Sequence, residues 1–319
     1  MAVNAFIFPG QGSQVVGMGR DLAAAFAPAR EVFEEVDEVL KQKLSRLMFE
    51  GPAEELTLTE NAQPALMAMS IAVLRCLEKE AGIRIADRAA VVAGHSLGEY
   101  SALAAAGTFA LADAARLLRI RGNAMQKAVP PGLGAMAALL GVELDAAESI
   151  CTEAAEGPDG HEVVSVANDN GGGQVVISGT ATAVDRAIEI ARGRGVKRAL
   201  KLPVSAPFHC ALMAPAAEAM REALAGVAVN APVVPLIANV TAAKVTDPAD
   251  IVAKLVEQVT APVRWRESVA TMTALGVTRF IELGAGKVLS GLARRIAPDA
   301  EALSCGTPAE LEELAKHVG

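Results

Sequence analysis

One serine in this chain stands between two glycines, in Gly94-His95-Ser96-Leu97-Gly98, and an apolar run over residues 89–93 leads into it. A serine on a sharp strand-to-helix bend points its hydroxyl into open space, and small residues two positions to either side let strand and helix pack closely. The first amides of a helix have no partner within it, so the N–H of Leu97 lies where a developing oxyanion would form. The chemistry is nucleophilic attack on a carbonyl, and it needs a base. The chain has four histidines to choose from. His95 adjoins Ser96, and side chains of consecutive residues diverge. His161 follows Pro158-Asp159-Gly160 in a turn, and His317 lies near the C-terminus; both read as surface residues. His209, closing the segment PVSAPFH, is the candidate base. An acid to hold its tautomer is missing: Asp113, Asp145 and Asp185 fall in or beside expected helices and none stands out. A backbone or amide carbonyl is the other way to orient the ring.

The elements that must position these groups alternate between strand and helix periods. A strand over residues 5–8 runs into the loop Pro9-Gly10-Gln11-Gly12-Ser13-Gln14, followed by a helical stretch to about Leu40. A second helix is expected over 60–80 with Pro64 in its first turns, then the strand 89–93 and a helix over 97–106. A further helix begins after Leu111, carries Arg116, Arg119, Arg121 and Lys127, and stops at Pro130-Pro131-Gly132. Residues 135–204 then read strand 135–141, helix 145–155, strands 163–167 and 174–178, helix 181–192 and strand 199–204, with Gly171-Gly172-Gly173 as a loose hairpin turn. That βαββαβ order suits a compact ferredoxin-like unit inserted into the larger one. The alternation resumes with a strand over 234–238, helices over 251–259 and 266–275, and a strand over 278–283.

Composition bounds what this machinery can act on. With 319 residues, 52% of them hydrophobic, the chain can bury one large α/β core and a smaller second unit. A net charge of −8 and only 3% aromatic residues argue against nucleic-acid partners. No apolar stretch is long enough for a membrane span and the N-terminus lacks the pattern of a secretory signal, so the cytoplasm is the expected location. Cys76, Cys151, Cys210 and Cys305 lie far apart without metal-ligand spacing and are expected as small core residues, with no metal bound.

Six motifs in order, FPGQGSQ from Phe8, GHSLGEYSALAAAG from Gly94, RGNAM from Arg121, NDNGGGQVVISG from Asn168, SAPFH ending at His209 and FIELGAGKVLSGL from Phe280, resemble the malonyl-CoA:acyl carrier protein transacylase family over nearly the whole chain. The resemblance implies an α/β fold: an α/β-hydrolase-like catalytic subdomain with a parallel sheet (residues 1–130 and 205–319) and a ferredoxin-like insert (131–204). It implies Ser96 as the nucleophile that becomes malonylated, His209 as general base, the backbone amides of Gln11 and Leu97 as the oxyanion site, and the backbone carbonyl of Gln258 as the group that orients the histidine. Arg121 is implied as the anchor of the malonyl carboxylate, which suits its planar, permanently charged fork, with Met125 one turn on lining the acyl pocket. Related acyltransferase domains that select methylmalonyl units tend to carry Gln after the nucleophile and Ser before the histidine; Leu97 and Phe208 here leave little room for an α-methyl branch. The implied activity is transfer of malonyl from malonyl-CoA to the phosphopantetheine thiol of acyl carrier protein, with no cofactor and no metal. A serine hydrolase or thioesterase using the same bend is the alternative. A chain of this length without a fused carrier or condensing domain points to fatty-acid synthesis, and a monomer is expected. An acidic carrier protein would dock on a basic patch, for which Arg192, Arg194, Lys197, Arg198 and Lys201 form the densest cluster.

Overall fold

The computed structural model describes residues 2–158, 160–204 and 206–318; Asp159, and Ser205 at the start of SAPFH, lie outside the described residues. The twelve strands are β1 (Asn4–Phe8), β2 (Ala89–Gly94), β3 (Gly134–Leu140), β4 (Glu156–Gly157), β5 (Gly160–His161), β6 (Val164–Asp169), β7 (Gln174–Thr180), β8 (Arg198–Lys201), β9 (Leu236–Ile237), β10 (Lys244–Val245), β11 (Arg279–Leu283) and β12 (Glu301–Cys305). Six of them form one sheet in the order β10-β9-β2-β1-β11-β12, parallel throughout except for β10. Every residue of β1, the NAFIF run, is buried, as expected of a central parallel strand with helices on both faces. A second, antiparallel sheet has the order β6-β7-β3-β8, and its covering helices Leu144–Ala155 and Ala181–Gly193 share a separate apolar core with it.

The two bodies are fastened beside the reactive segment. Val263 pairs with β6 through Asp169 N–H to Val263 O (3.0 Å) and Val263 N–H to Ala167 O (2.8 Å), and Arg266 holds the buried Asp169 carboxylate at 2.7 Å. The triple glycine is a tight turn, not a loose one: all three residues have positive φ, and the Gly173 carbonyl accepts the amides of Gly141 and Val142.

Several boundaries differ from the sequence expectation for local reasons. The helical stretch before Leu40 is two helices, Arg20–Ala25 and Ala27–Leu40, because Pro28 has no N–H to continue the first and instead opens the second. The strand expected over 199–204 stops at Lys201: Leu202 still donates to Met136 O at 2.9 Å, but Pro203 cannot donate to a ladder, and residues 202–204 wall the cavity described below. The strand expected over 234–238 shrinks to Leu236–Ile237 behind Pro235. Beyond the expected elements lie the helices Ala214–Ala225, Val288–Ile296 and Pro308–Val318 and the edge strand β12.

Two close approaches set the site. A Cβ on Gly94 would lie 1.9 Å from the backbone carbonyl of Gly98, and one on Gly98 would lie 2.2 Å from the Phe8 oxygen, so strand and helix meet backbone to backbone around Ser96. A Cβ on Gly122 would lie 2.6 Å from Glu60 Cα, so the helices Leu111–Ala128 and Thr59–Glu80 touch at the residue next to Arg121. Gly94→Ala is expected to lower the unfolding free energy by about 3 kcal/mol or more, because the clashing partner is backbone. Urea denaturation reads this directly, and a midpoint equal to the parent's would contradict the close-approach argument.

Candidate active site

Ser96 sits at φ +53 and His209 at φ +58, both in the left-handed region that side-chain-bearing residues rarely adopt. The bend is held from behind by Asn239, whose Oδ1 accepts the Ser96 N–H (2.8 Å) while its Nδ2 donates to the Gly94 carbonyl (2.7 Å). The bend aims Ser96 Oγ at His209 Nε2, 2.8 Å away, and His209 Nδ1 lies 2.8 Å from the backbone carbonyl of Gln258. Arg121 Nη2 stands 3.1 Å from the same serine oxygen.

These contacts fix the protons. A guanidinium only donates, so Ser96 Oγ accepts from Arg121 and its own hydrogen points to His209 Nε2. That nitrogen must be bare, and Nδ1–H donates to the Gln258 carbonyl. Burial, reinforced by the Arg121 charge, pulls the imidazole down to about 3, so the ring is neutral and ready to accept a proton throughout the physiological range. No acid touches it.

Arg121 is 1% exposed, a cation deep in the protein. Its Nη1 donates to Gln63 Oε1 (2.8 Å), its Nη2 to Gln258 Oε1 (2.9 Å), and its Cζ lies 5.7 Å from the Tyr100 ring centroid. Among the described residues no carboxylate is bonded to it. Burial lowers its pKa, with Tyr100 and Glu99 opposing. Such a charge is costly to bury without an anion.

A cavity of about 370 Å³ opens in front of this group, of a size that suits a small ligand or the end of a larger one. The larger sheet's side supplies Gln11, Ser96, Leu97, Arg121, Met125, Phe208 and His209, and the smaller sheet's side Met136, Asn168, Asn170 and Val176. The expected residues therefore meet in one place. Among the described residues, the amides of Gln11 and Leu97 have no partner in the protein, which leaves both N–H groups available at the cavity. The Gln11 side chain is tied back by Thr59 Oγ1 at 2.8 Å, keeping it off the backbone amide. His95 also borders the cavity, its Nε2 on Asn170 Oδ1 at 2.9 Å. His161 is exposed beside Glu156, and His317 caps a carbonyl of its own helix. All four cysteines are free and buried.

Four residues of this site were not anticipated from the sequence: Gln63, Glu99, Asn239 and the side chain of Gln258. Gln63 follows Thr59, Glu60 and Asn61 in its helix and Glu99 precedes Tyr100 and Ser101 in its own, so neither stands out from polar neighbours along the chain. Asn239 carries no signal either. The basic cluster is largely neutralised: Arg192 pairs with Glu189, Arg194 with Glu153 and Lys201 with Asp185, while Lys197 and Arg198 are exposed without an ion-pair partner among the described residues.

The acyl transferase domain family matches residues 5–298. The chain is similar to the malonyl CoA-acyl carrier protein transacylase of Bacillus subtilis (strain 168), 49% identical over 98% of this chain and 96% of the relative, and to that of Escherichia coli (strain K12), 47% identical over 98% of each. Among solved structures it resembles the acyl-carrier-protein-S-malonyltransferase of Bartonella henselae, with a TM-score of 0.96 and 57% identity over 99% of both chains. It also resembles a malonyl-transacylase solved in complex with a type II PKS acyl-carrier protein, with a TM-score of 0.94 and 41% identity, covering 99% of this chain and 100% of that one.

Because the folded-state pKa of His209 is depressed to about 3 from 6.5, its contribution to stability is full above about 6.5 and lost as pH falls toward 3. Within that window each pH unit costs up to about 1.4 kcal/mol. The unfolding free energy of His209→Gln is therefore expected to fall less steeply between pH 6.5 and 4 than the parent's, as read by denaturant titrations at each pH. Equal slopes would mean the ring is not buried neutral.

Proposed function

Because the chain belongs to the malonyl-CoA:acyl carrier protein transacylase family, we propose that it moves a malonyl group from malonyl-CoA to the phosphopantetheine thiol of acyl carrier protein, through a malonyl ester on Ser96, in fatty-acid synthesis. The observation that carries this reading is Arg121, a buried guanidinium with no bonded carboxylate, 3.1 Å from the nucleophilic oxygen. A donor that brings its own carboxylate supplies the missing anion; an acetyl donor does not.

In the first half-reaction Ser96 Oγ attacks the thioester carbonyl as its proton passes to His209 Nε2. The carbonyl oxygen becomes an oxyanion between the amides of Gln11 and Leu97, and the tetrahedral adduct collapses as His209 returns the proton to the departing CoA thiol. In the second half the carrier thiol gives its proton to His209 and attacks the ester, restoring the serine. Arg121 has a further role in timing. Its charge helps depress the histidine, so a carboxylate seated on the guanidinium raises the basicity of His209 when the donor is in place. Once Ser96 Oγ has become an ester oxygen it is a poorer acceptor, which frees an Nη2 hydrogen beside the second Nη1 hydrogen to grip the carboxylate as a fork.

The architecture fits this division of labour. We read residues 1–130 and 205–319 as an α/β-hydrolase-like body that supplies nucleophile, base and cation, and residues 131–204 as a ferredoxin-like insert that roofs the cavity, since the order β6-β7-β3-β8 is that of a βαββαβ unit. Leu97 and Phe208, both at the cavity, favour malonyl over branched donors. Carrier-protein docking on the basic face of the insert would rest on Lys197 and Arg198, the two cations there without acidic partners.

Mixing with malonyl-CoA should add one malonyl group to the intact mass of the parent and none to Ser96→Ala. Holo carrier protein should then take up the label, whereas steady release of free malonate would identify a hydrolase. Arg121→Ala is expected to lower the preference for malonyl over acetyl donors by about 100-fold or more, read as the ratio of kcat/KM values. An unchanged ratio would remove Arg121 from the anchoring role.

A further inference from the structure

An acid lies three residues beyond Ser96, one glutamine removed from His209. Glu99 is 1% exposed on the helix Gly98–Ala105, among alanines and leucine. Both of its oxygens are engaged: Oε1 accepts the Asn239 backbone N–H at 3.3 Å, and Oε2 accepts from Gln258 Nε2. Gln258 offers its Oε1 to Arg121 Nη2 at 2.9 Å and its backbone carbonyl to His209 at 2.8 Å. Its Nε2 also donates to the Ser96 carbonyl at 3.0 Å.

This wiring depends on which end of the Gln258 amide faces which neighbour. Turned over, its NH₂ would meet the guanidinium donors and its oxygen would meet a carboxylate and a carbonyl. A carboxylate at position 99, with acceptors at both ends, permits only the observed orientation. A carboxamide there has one acceptor and one NH₂, so either Asn239 or Gln258 would face another donor. Burial pushes the Glu99 carboxyl up to about 8, with its bonds from Gln258 and Asn239 and the Arg121 charge opposing, so the arrangement described above is that of its ionised form.

We propose that Glu99 is this site's acid displaced by one residue: a positioning residue that acts through the Gln258 side chain to keep an amide oxygen on Arg121 and the backbone carbonyl on His209. A triad aspartate does this by touching the imidazole; here a glutamine stands between. The inference rests on the roles assigned above to Ser96, His209 and Arg121.

A double-mutant cycle tests it. The rate of Ser96 malonylation by malonyl-CoA is followed by rapid-quench mass measurement in the parent, Glu99→Gln, Gln258→Ala and the double variant; Gln258→Ala keeps the backbone carbonyl. Each single change is expected to slow acylation by about 10- to 100-fold, and the double variant to be within about 2-fold of the slower single, because both cut one connection. The His209 Nδ1–H proton resonance should also shift in Glu99→Gln, which a purely structural brace would not require. Multiplying effects of the two changes, or parent-like acylation in Glu99→Gln, would overturn the relay. Should Glu99→Gln not fold, Glu99→Asp takes its place with the same outcomes. A parent that forms no adduct defeats the functional reading itself, whereas an active parent with independent effects defeats only the relay.

Discussion

The serine oxygen is held between a bare imidazole nitrogen at 2.8 Å and a guanidinium nitrogen at 3.1 Å, and the rest of the site is arranged around that sandwich. One neighbour can only accept the serine's hydrogen and the other can only donate to its oxygen, so the hydroxyl has one orientation and the imidazole one tautomer. Burial, with the guanidinium charge adding to it, keeps the imidazole neutral. Imidazole and guanidinium are thereby coupled through a few ångströms of space.

Holding three polar groups this close inside an apolar core sets the backbone. Ser96 and His209 occupy left-handed conformations that a side chain disfavours, and such strain persists only where the surroundings over-determine it. Asn239 braces the serine turn through three bonds to its surroundings, and backbone contact at Gly94 and Gly98 leaves the bend no room to relax. Arg121 is set by a helix crossing tight enough to need Gly122, which brings Gln63 to one side of the guanidinium while Gln258 stands on the other. Uncharged amide oxygens hold this cation without neutralising it. A protein carboxylate in either place would already neutralise it.

Much of this was legible beforehand, and the reasons differ from residue to residue. The strand NAFIF, the glycine-bracketed serine and the βαββαβ order of the insert are local patterns, in which period and turn chemistry act over a handful of neighbours. His209 could be reached by elimination because histidine is scarce in this chain. Boundaries failed where a proline intervened, at Pro28, Pro203 and Pro235, since a missing N–H overrides an apolar run. Gln63, Glu99 and Asn239 were passed over because an amide or a carboxyl in a helix or loop is ordinarily a solvated group. Only their burial beside one another reveals that each has a partner.

The amino-acid sequence by itself determined the turn at Ser96, the strand and helix alternation, and the scarcity of histidine, because those follow from composition and near neighbours along the chain. The tertiary structure alone decided that the arginine is buried facing amides and that, among the described residues, the acid nearest the histidine's support is Glu99, behind the side chain of Gln258. Residues separated by 113 positions, as Ser96 and His209 are, meet only after the sheet and its helices have packed. Proton direction and charge balance are properties of that packed space, where removal of water makes each donor and acceptor count.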